Sequence, residues 1–119
     1  MGQSLLSRLK HQYIITQVNR AKIPDFTESG QIREKLVFSG KVQNVGFRFQ
    51  AKLMAERLEL FGWVKNRENG DVEMEIQGPQ KKITFLIEYM KSRKRMKISK
   101  VTHTTLFIKA DSPQLFEIV

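Results

Sequence analysis

Residues 62–79 read GWVKNRENGDVEMEIQGP. The pair Asn69-Gly70 is a strong short-range signal for a tight hairpin, because both residues tolerate the positive φ such turns demand. After it, Val72, Met74 and Ile76 alternate with Glu73 and Glu75. Apolar and acidic residues at a period of two predict a strand with one face buried and the other in water, as in antiparallel sheets. Residues 63–67 supply the preceding strand, with Trp63 expected in the core rather than as a binding platform. Gly78-Pro79 breaks the second strand.

Working outward from this hairpin, Phe49, Leu53, Met54 and Leu58 fall at helical spacing, and Gly62 is placed to end that helix. On the other side, Ile83, Leu86, Ile87 and Met90 predict a second helix over 80–93. Residues 35–40 alternate around Leu36 and Phe38 and predict the first strand. Residues 98–110 form a long Thr-rich strand and 115–119 a short terminal one. The order βαββαβ with an extra C-terminal strand predicts an α+β, ferredoxin-like two-layer sandwich. Two helices lie on one face of an antiparallel sheet whose first and third strands are central. Such a fold hosts many activities and decides none of them.

The chain has 119 residues, which suits one domain. It contains no cysteine, which excludes disulfides, thiolate metal sites and cysteine nucleophiles together. This fits a reducing compartment, and the expected location is cytoplasmic. No apolar run approaches the roughly 20 residues that span a bilayer, so no membrane crossing is expected. The net charge of +9 points to an anionic partner without naming its class. Much of it sits at 91–100, KSRKRMKISK, with six basic residues and no acid. That run reads either as a solvated helix end and loop or as a polyanion patch.

Composition shifts near residues 29–33, dividing the chain into an N-terminal extension, 1–33, and a domain, 34–119. In the extension Leu5, Leu6, Leu9 and Tyr13 lie at helical spacing, and Ser4 is placed to cap such a helix. The β-prone segment 13–15 is expected to stop it. A helical arm, a disordered extension and an organellar transit peptide all remain open here.

Candidate chemistry lies between the first strand and first helix, in Gly40–Phe49, GKVQNVGFRF. A turn with converging N–H groups, followed by a helix N-terminus, offers unpaired donors and a positive dipole end to an anion. Gly46 opens backbone conformations closed to other residues, and Asn44 tolerates positive φ better than most. Arg48 can add a planar two-donor fork to the same anion. A plain strand–helix turn with a surface arginine is the competing reading. Asn66, on the strand after the first helix, can approach this loop, and its amide can both accept from and donate to a water.

GKVQNVGFRF followed by GWVKN, the Asn-Gly hairpin and VEMEIQGP resembles the acylphosphatase family over about residues 34–119. The resemblance implies a ferredoxin-like hydrolase of carboxyl–phosphate bonds that uses neither metal nor cofactor. It implies that Arg48 binds the substrate phosphate and that Asn66 positions the attacking water. Gln43, Asn44, Val45, Gly46 and Phe47 match the phosphate loop, which acts through main-chain amides. Asn44 departs from the family, which usually has Gly at that position. The implied partner is a small-molecule acyl phosphate, with inorganic phosphate or sulfate as competing anions.

The same residues admit two other classes. An RNA-recognition module shares the βαββαβ order, and GFRF faintly echoes its aromatic signature. That signature belongs on the third strand, whereas GFRF enters a helix, and the third strand is acidic on its exposed face. Nucleic acid is therefore disfavoured as the main ligand. A catalytically idle interaction domain of the same shape is the other alternative, motivated by the N-terminal extension.

Overall fold

The computed structural model describes residues 4–119. Its elements run α1 (Leu5–Arg20), β1 (Gln31–Lys41), α2 (Phe47–Arg57), β2 (Phe61–Asn66), β3 (Val72–Pro79), α3 (Gln80–Lys91), β4 (Lys97–Leu106) and β5 (Phe116–Ile118). One sheet has the order β4-β1-β3-β2-β5, so β1 and β3 are central and β2 flanks them. Leu36 and Phe38 of β1, Val64 of β2 and Val72, Met74 and Ile76 of β3 are fully buried. They meet Ala51 and Met54 of α2 and Ile83, Leu86 and Met90 of α3. Gln50 joins the two helices inside this core, its Nε2 donating to the Tyr89 hydroxyl at 2.6 Å.

The sheet is mixed rather than antiparallel, because β5 pairs parallel to β2, Gly62 opposite Phe116 and Val64 opposite Ile118. The cause is topological. The antiparallel pairings of β4 with β1, β1 with β3 and β3 with β2 leave β4 ending at the end of the sheet where β2 begins. A segment crossing from there delivers β5 in the direction of β2. β4 also stops at Leu106, short of the expected 110. The chain then crosses the open face, where Gln77 accepts from the Lys109 amide at 2.9 Å and donates to its carbonyl at 3.2 Å.

Trp63 lies on that open face and is half-buried, not in the core. Its neighbour Val64 takes the inward position, and side chains alternate along a strand. The ammonium of Lys65 sits 5.4 Å from the Trp63 ring centroid. The acidic residues of β3 are matched on this face: Glu75 pairs with Arg33 at 3.0 Å and Glu73 with Arg67 at 2.6 Å.

A third helix, α1, joins the two expected ones. Ser4 caps it, accepting from the Ser7 amide at 3.1 Å. The helix does not stop near residue 13 but continues to Arg20, because Ile14 and Val18, one turn apart, bury against the domain. Its C-terminal carbonyls are gripped by Arg57 of α2, whose Nη1 donates to Val18 O at 2.5 Å and Ala21 O at 2.6 Å. The residues whose spacing suggested the helix face outward: Leu5 is 67% exposed, against 2% for Val18. Residues 1–3 of the extension lie outside the described residues.

This docking has a measurable consequence. Val18→Ala removes two buried methyl groups and is expected to lower stability by about 2 kcal/mol. An unchanged denaturant midpoint would show that α1 does not pack on the domain in solution.

Candidate active site

The segment between β1 and α2 is fixed from below by Val42 and Val45, both buried. From the side it is clamped by Gln43, whose Nε2 donates to the carbonyls of Arg67 and Asp71 at 2.7 and 2.9 Å. The loop is thereby tied to the β2–β3 hairpin. Its bend comes from two left-handed residues, Asn44 at φ 61° and Gly46 at φ 79°. Gly46 is also the N-cap of α2 and carries no side-chain cap. A Cβ at Gly46 would come within 2.7 Å of Ile14 Cδ1, so α1 packs directly on the loop.

With this path, no protein acceptor among the described residues takes the N–H groups of Gln43 to Phe49. Backbone donors left free at a helix start form an anion site in their own right. Arg48, in the first turn of α2, is exposed and makes no ion pair among the described residues. Asn66 closes β2, paired with Val72 across the hairpin. Its Oδ1 is buried and has no hydrogen-bond partner among the described residues. A buried amide oxygen left unpaired costs about 1–3 kcal/mol, so Asn66 is poised to accept from a bound donor.

These groups converge. A cavity of about 240 Å3 is lined by Asn44, Gly46, Phe47, Arg48 and Asn66, together with His11, Val42, Phe49 and Ile118. Gln43 and Val45 turn their side chains elsewhere, Gln43 into its clamp and Val45 into the core, leaving only their main chain to the loop. His103 lies apart on β4, with Nδ1 2.9 Å from Glu34 Oε2. Among the described residues no three of His, Asp and Glu gather as a metal site.

His11 and Ile118 were not anticipated. His11 precedes Ile14 by three residues and Val18 by seven, so all three share one helix face. Extending the helical period past Tyr13 would have found it. Ile118 reaches the cavity only through the parallel pairing of β5, for which local sequence carries no signal.

Asn44 bears a conformational cost that glycine would not. A left-handed residue with a side chain costs about 1–2 kcal/mol, less for asparagine, which can bond locally. Asn44→Ala is therefore expected to lose about 1 kcal/mol. Asn44→Gly should change stability little, because relief of strain is offset by a freer unfolded chain. Equal unfolding midpoints for wild type and Asn44→Ala would mean the left-handed turn is not kept in solution.

Comparison with known proteins gives one consistent result. Residues 34–118 match the family model described as Acylphosphatase. An acylphosphatase of Pediococcus pentosaceus is 48% identical over 54 residues, covering 45% of this chain and 60% of that protein. The chain thus spans less than two thirds of that relative's length. An acylphosphatase of Clostridium beijerinckii is 41% identical over 71 residues, 59% of this chain and 79% of that protein. The crystal structure of acylphosphatase from Bacillus subtilis superposes with a TM-score of 0.68 at 30% identity, covering 74% of this chain and 98% of that one. The fold is accordingly the ferredoxin-like α+β sandwich of those structures, with α1 added. Over residues 34–118 the chain belongs to the acylphosphatase family.

Proposed function

We propose that this protein hydrolyses the carboxyl–phosphate bond of acyl phosphates, releasing a carboxylate and inorganic phosphate. The observation that carries the reading is the one cavity lined by the loop residues Asn44, Gly46 and Phe47 together with Arg48 and Asn66. Residues 34–119 form the catalytic domain, and residues 1–33 are an extension whose helix adds to the cavity wall.

Acyl phosphates are reactive anhydrides with a good carboxylate leaving group. Their hydrolysis needs no strong protein nucleophile and no leaving-group acid, only positioning and charge stabilisation. The amides of residues 43–47 and the Arg48 guanidinium hold the phosphoryl oxygens. Asn66 Oδ1 accepts from a water and aims its oxygen at phosphorus, in line with the departing carboxylate. The new P–O bond forms as the bond to the acyl oxygen breaks, and a phosphoryl oxygen of the substrate takes the proton of the attacking water. The scheme calls for neither metal nor cofactor.

An RNA-binding reading has less support. Gly46–Phe49 opens α2 instead of lying on β3, and the open face of β3 carries Glu73 and Glu75. The cysteine-free sequence is what supports a cytoplasmic setting.

The direct test is phosphate release from acetyl phosphate or benzoyl phosphate by the full chain, with EDTA present. Turnover above the buffer rate, inhibited competitively by inorganic phosphate or sulfate, is expected. Release at the buffer rate alone would overturn the reading.

A further inference from the structure

The N-terminal helix brings His11 to the cavity that holds Arg48 and Asn66. His11 lies outside residues 34–118, the span matched by the family model. Its imidazole packs on Phe49 of α2, ring centroids 4.8 Å apart and planes tilted by 41°. The helix that carries it is fixed on three sides: by Ile14 against Gly46, by buried Val18 and by the Arg57 clamp on its last carbonyls. His11 is therefore held at the cavity by a docked element and not by a loose tail.

The ring is also uncommitted. His103 is engaged by Glu34, whereas His11 makes no hydrogen bond to protein among the described residues. Among the described residues no carboxylate side chain lines the cavity, and the only other ionisable side chain there is that of Arg48. A donor placed beside a guanidinium and free amides, with no acid to engage it, is complementary to an anion.

We propose that His11 is a substrate-binding residue contributed by the N-terminal helix, its imidazole N–H donating to an oxygen of the bound acyl phosphate. This rests on the acyl-phosphate reading above and adds to it a contact from outside the family domain. The tilted contact with Phe49 limits the directions in which the N–H can point.

The test compares His11→Ala, His11→Phe and His11→Gln in the full chain, each checked for fold by circular dichroism and thermal unfolding. His11→Phe keeps a ring against Phe49 but has no donor, whereas His11→Gln keeps a donor without the ring. With benzoyl phosphate, Ala and Phe are both expected to raise KM, and the Ki of inorganic phosphate, roughly 5- to 10-fold, the size of one hydrogen bond. Gln should restore most of both, and kcat should move less than KM throughout. In the wild type, titration with inorganic phosphate should shift the His11 ring resonances together with the amides of residues 43–49.

If Phe matches wild type while Ala does not, the ring acts only by packing and the proposal is overturned. It is also overturned if all three variants keep the wild-type KM and Ki, while wild type hydrolyses substrate and Arg48→Ala does not. In either case the acyl-phosphate reading stands. A wild-type chain that neither hydrolyses benzoyl phosphate nor binds inorganic phosphate overturns both.

Discussion

Arg48→Ala is expected to lower kcat/KM for acyl phosphates by at least about 10²–10³-fold, the loss typical of removing one preorganised donor from a developing charge. Among the described residues the guanidinium is the one permanently charged side chain lining the cavity, and it makes no ion pair. Its whole charge is thus available to the phosphoryl group. In the proposed reading Arg48 contacts the anion in both ground and transition states, so KM should rise as kcat falls. Arg48→Lys should recover only part of the loss, since a point charge cannot present two parallel donors. Folding should be unaffected, as the side chain is exposed. Steady-state kinetics with benzoyl phosphate, together with the Ki of inorganic phosphate, checks this. An alanine variant with wild-type kcat/KM would remove Arg48 from the site.

Asn66→Ala should show a different signature. Asn66 lines the same cavity and its buried Oδ1 has no partner among the described residues, so in the proposed reading it holds the water and not the phosphate. The variant is expected to lose about 10²-fold in kcat, the scale of a misplaced reactant, with KM changed little. Affinity for inorganic phosphate should stay near that of the wild type, and this separates Asn66 from Arg48. Asn66→Asp places a negative charge beside the anion and should impair binding as well. Wild-type turnover by Asn66→Ala would refute its assignment, whatever Arg48 does.

The parts of the fold that could be read from sequence are those written in local periodicity. The hairpin around Asn69-Gly70 and the inward set Val72, Met74 and Ile76 follow from a period of two, and α3 from the spacing of Ile83, Leu86, Ile87 and Met90. Trp63 sits on the open face and not in the expected core because its parity is opposite to that of Val64, which takes the inward position. In α1 the residues that look most hydrophobic, Leu5, Leu6 and Leu9, are exposed, and the shorter pair Ile14 and Val18 makes the contact. Counting apolar residues could not choose between these faces; only the space above Gly46 does. The direction of β5 depends on where β4 ends, which is a property of the whole sheet.

The candidate site divides in the same way. The backbone features of residues 43–48 are local, so glycine, asparagine and the start of a helix announce them. Asn66 depends on sheet register, and its meeting with Arg48 needed the order of β1, β3 and β2. His11 and Ile118 come from elements remote in sequence and carry no local mark.

The cavity wall is completed by the first helix and the last strand, which meet the loop across long stretches of chain. Loop-closure entropy opposes such distant contacts until nearer ones have formed. During refolding, the central strands and α2 should therefore gain protection from hydrogen exchange before the wall is whole. Catalytic competence should return later than the bulk of the secondary structure.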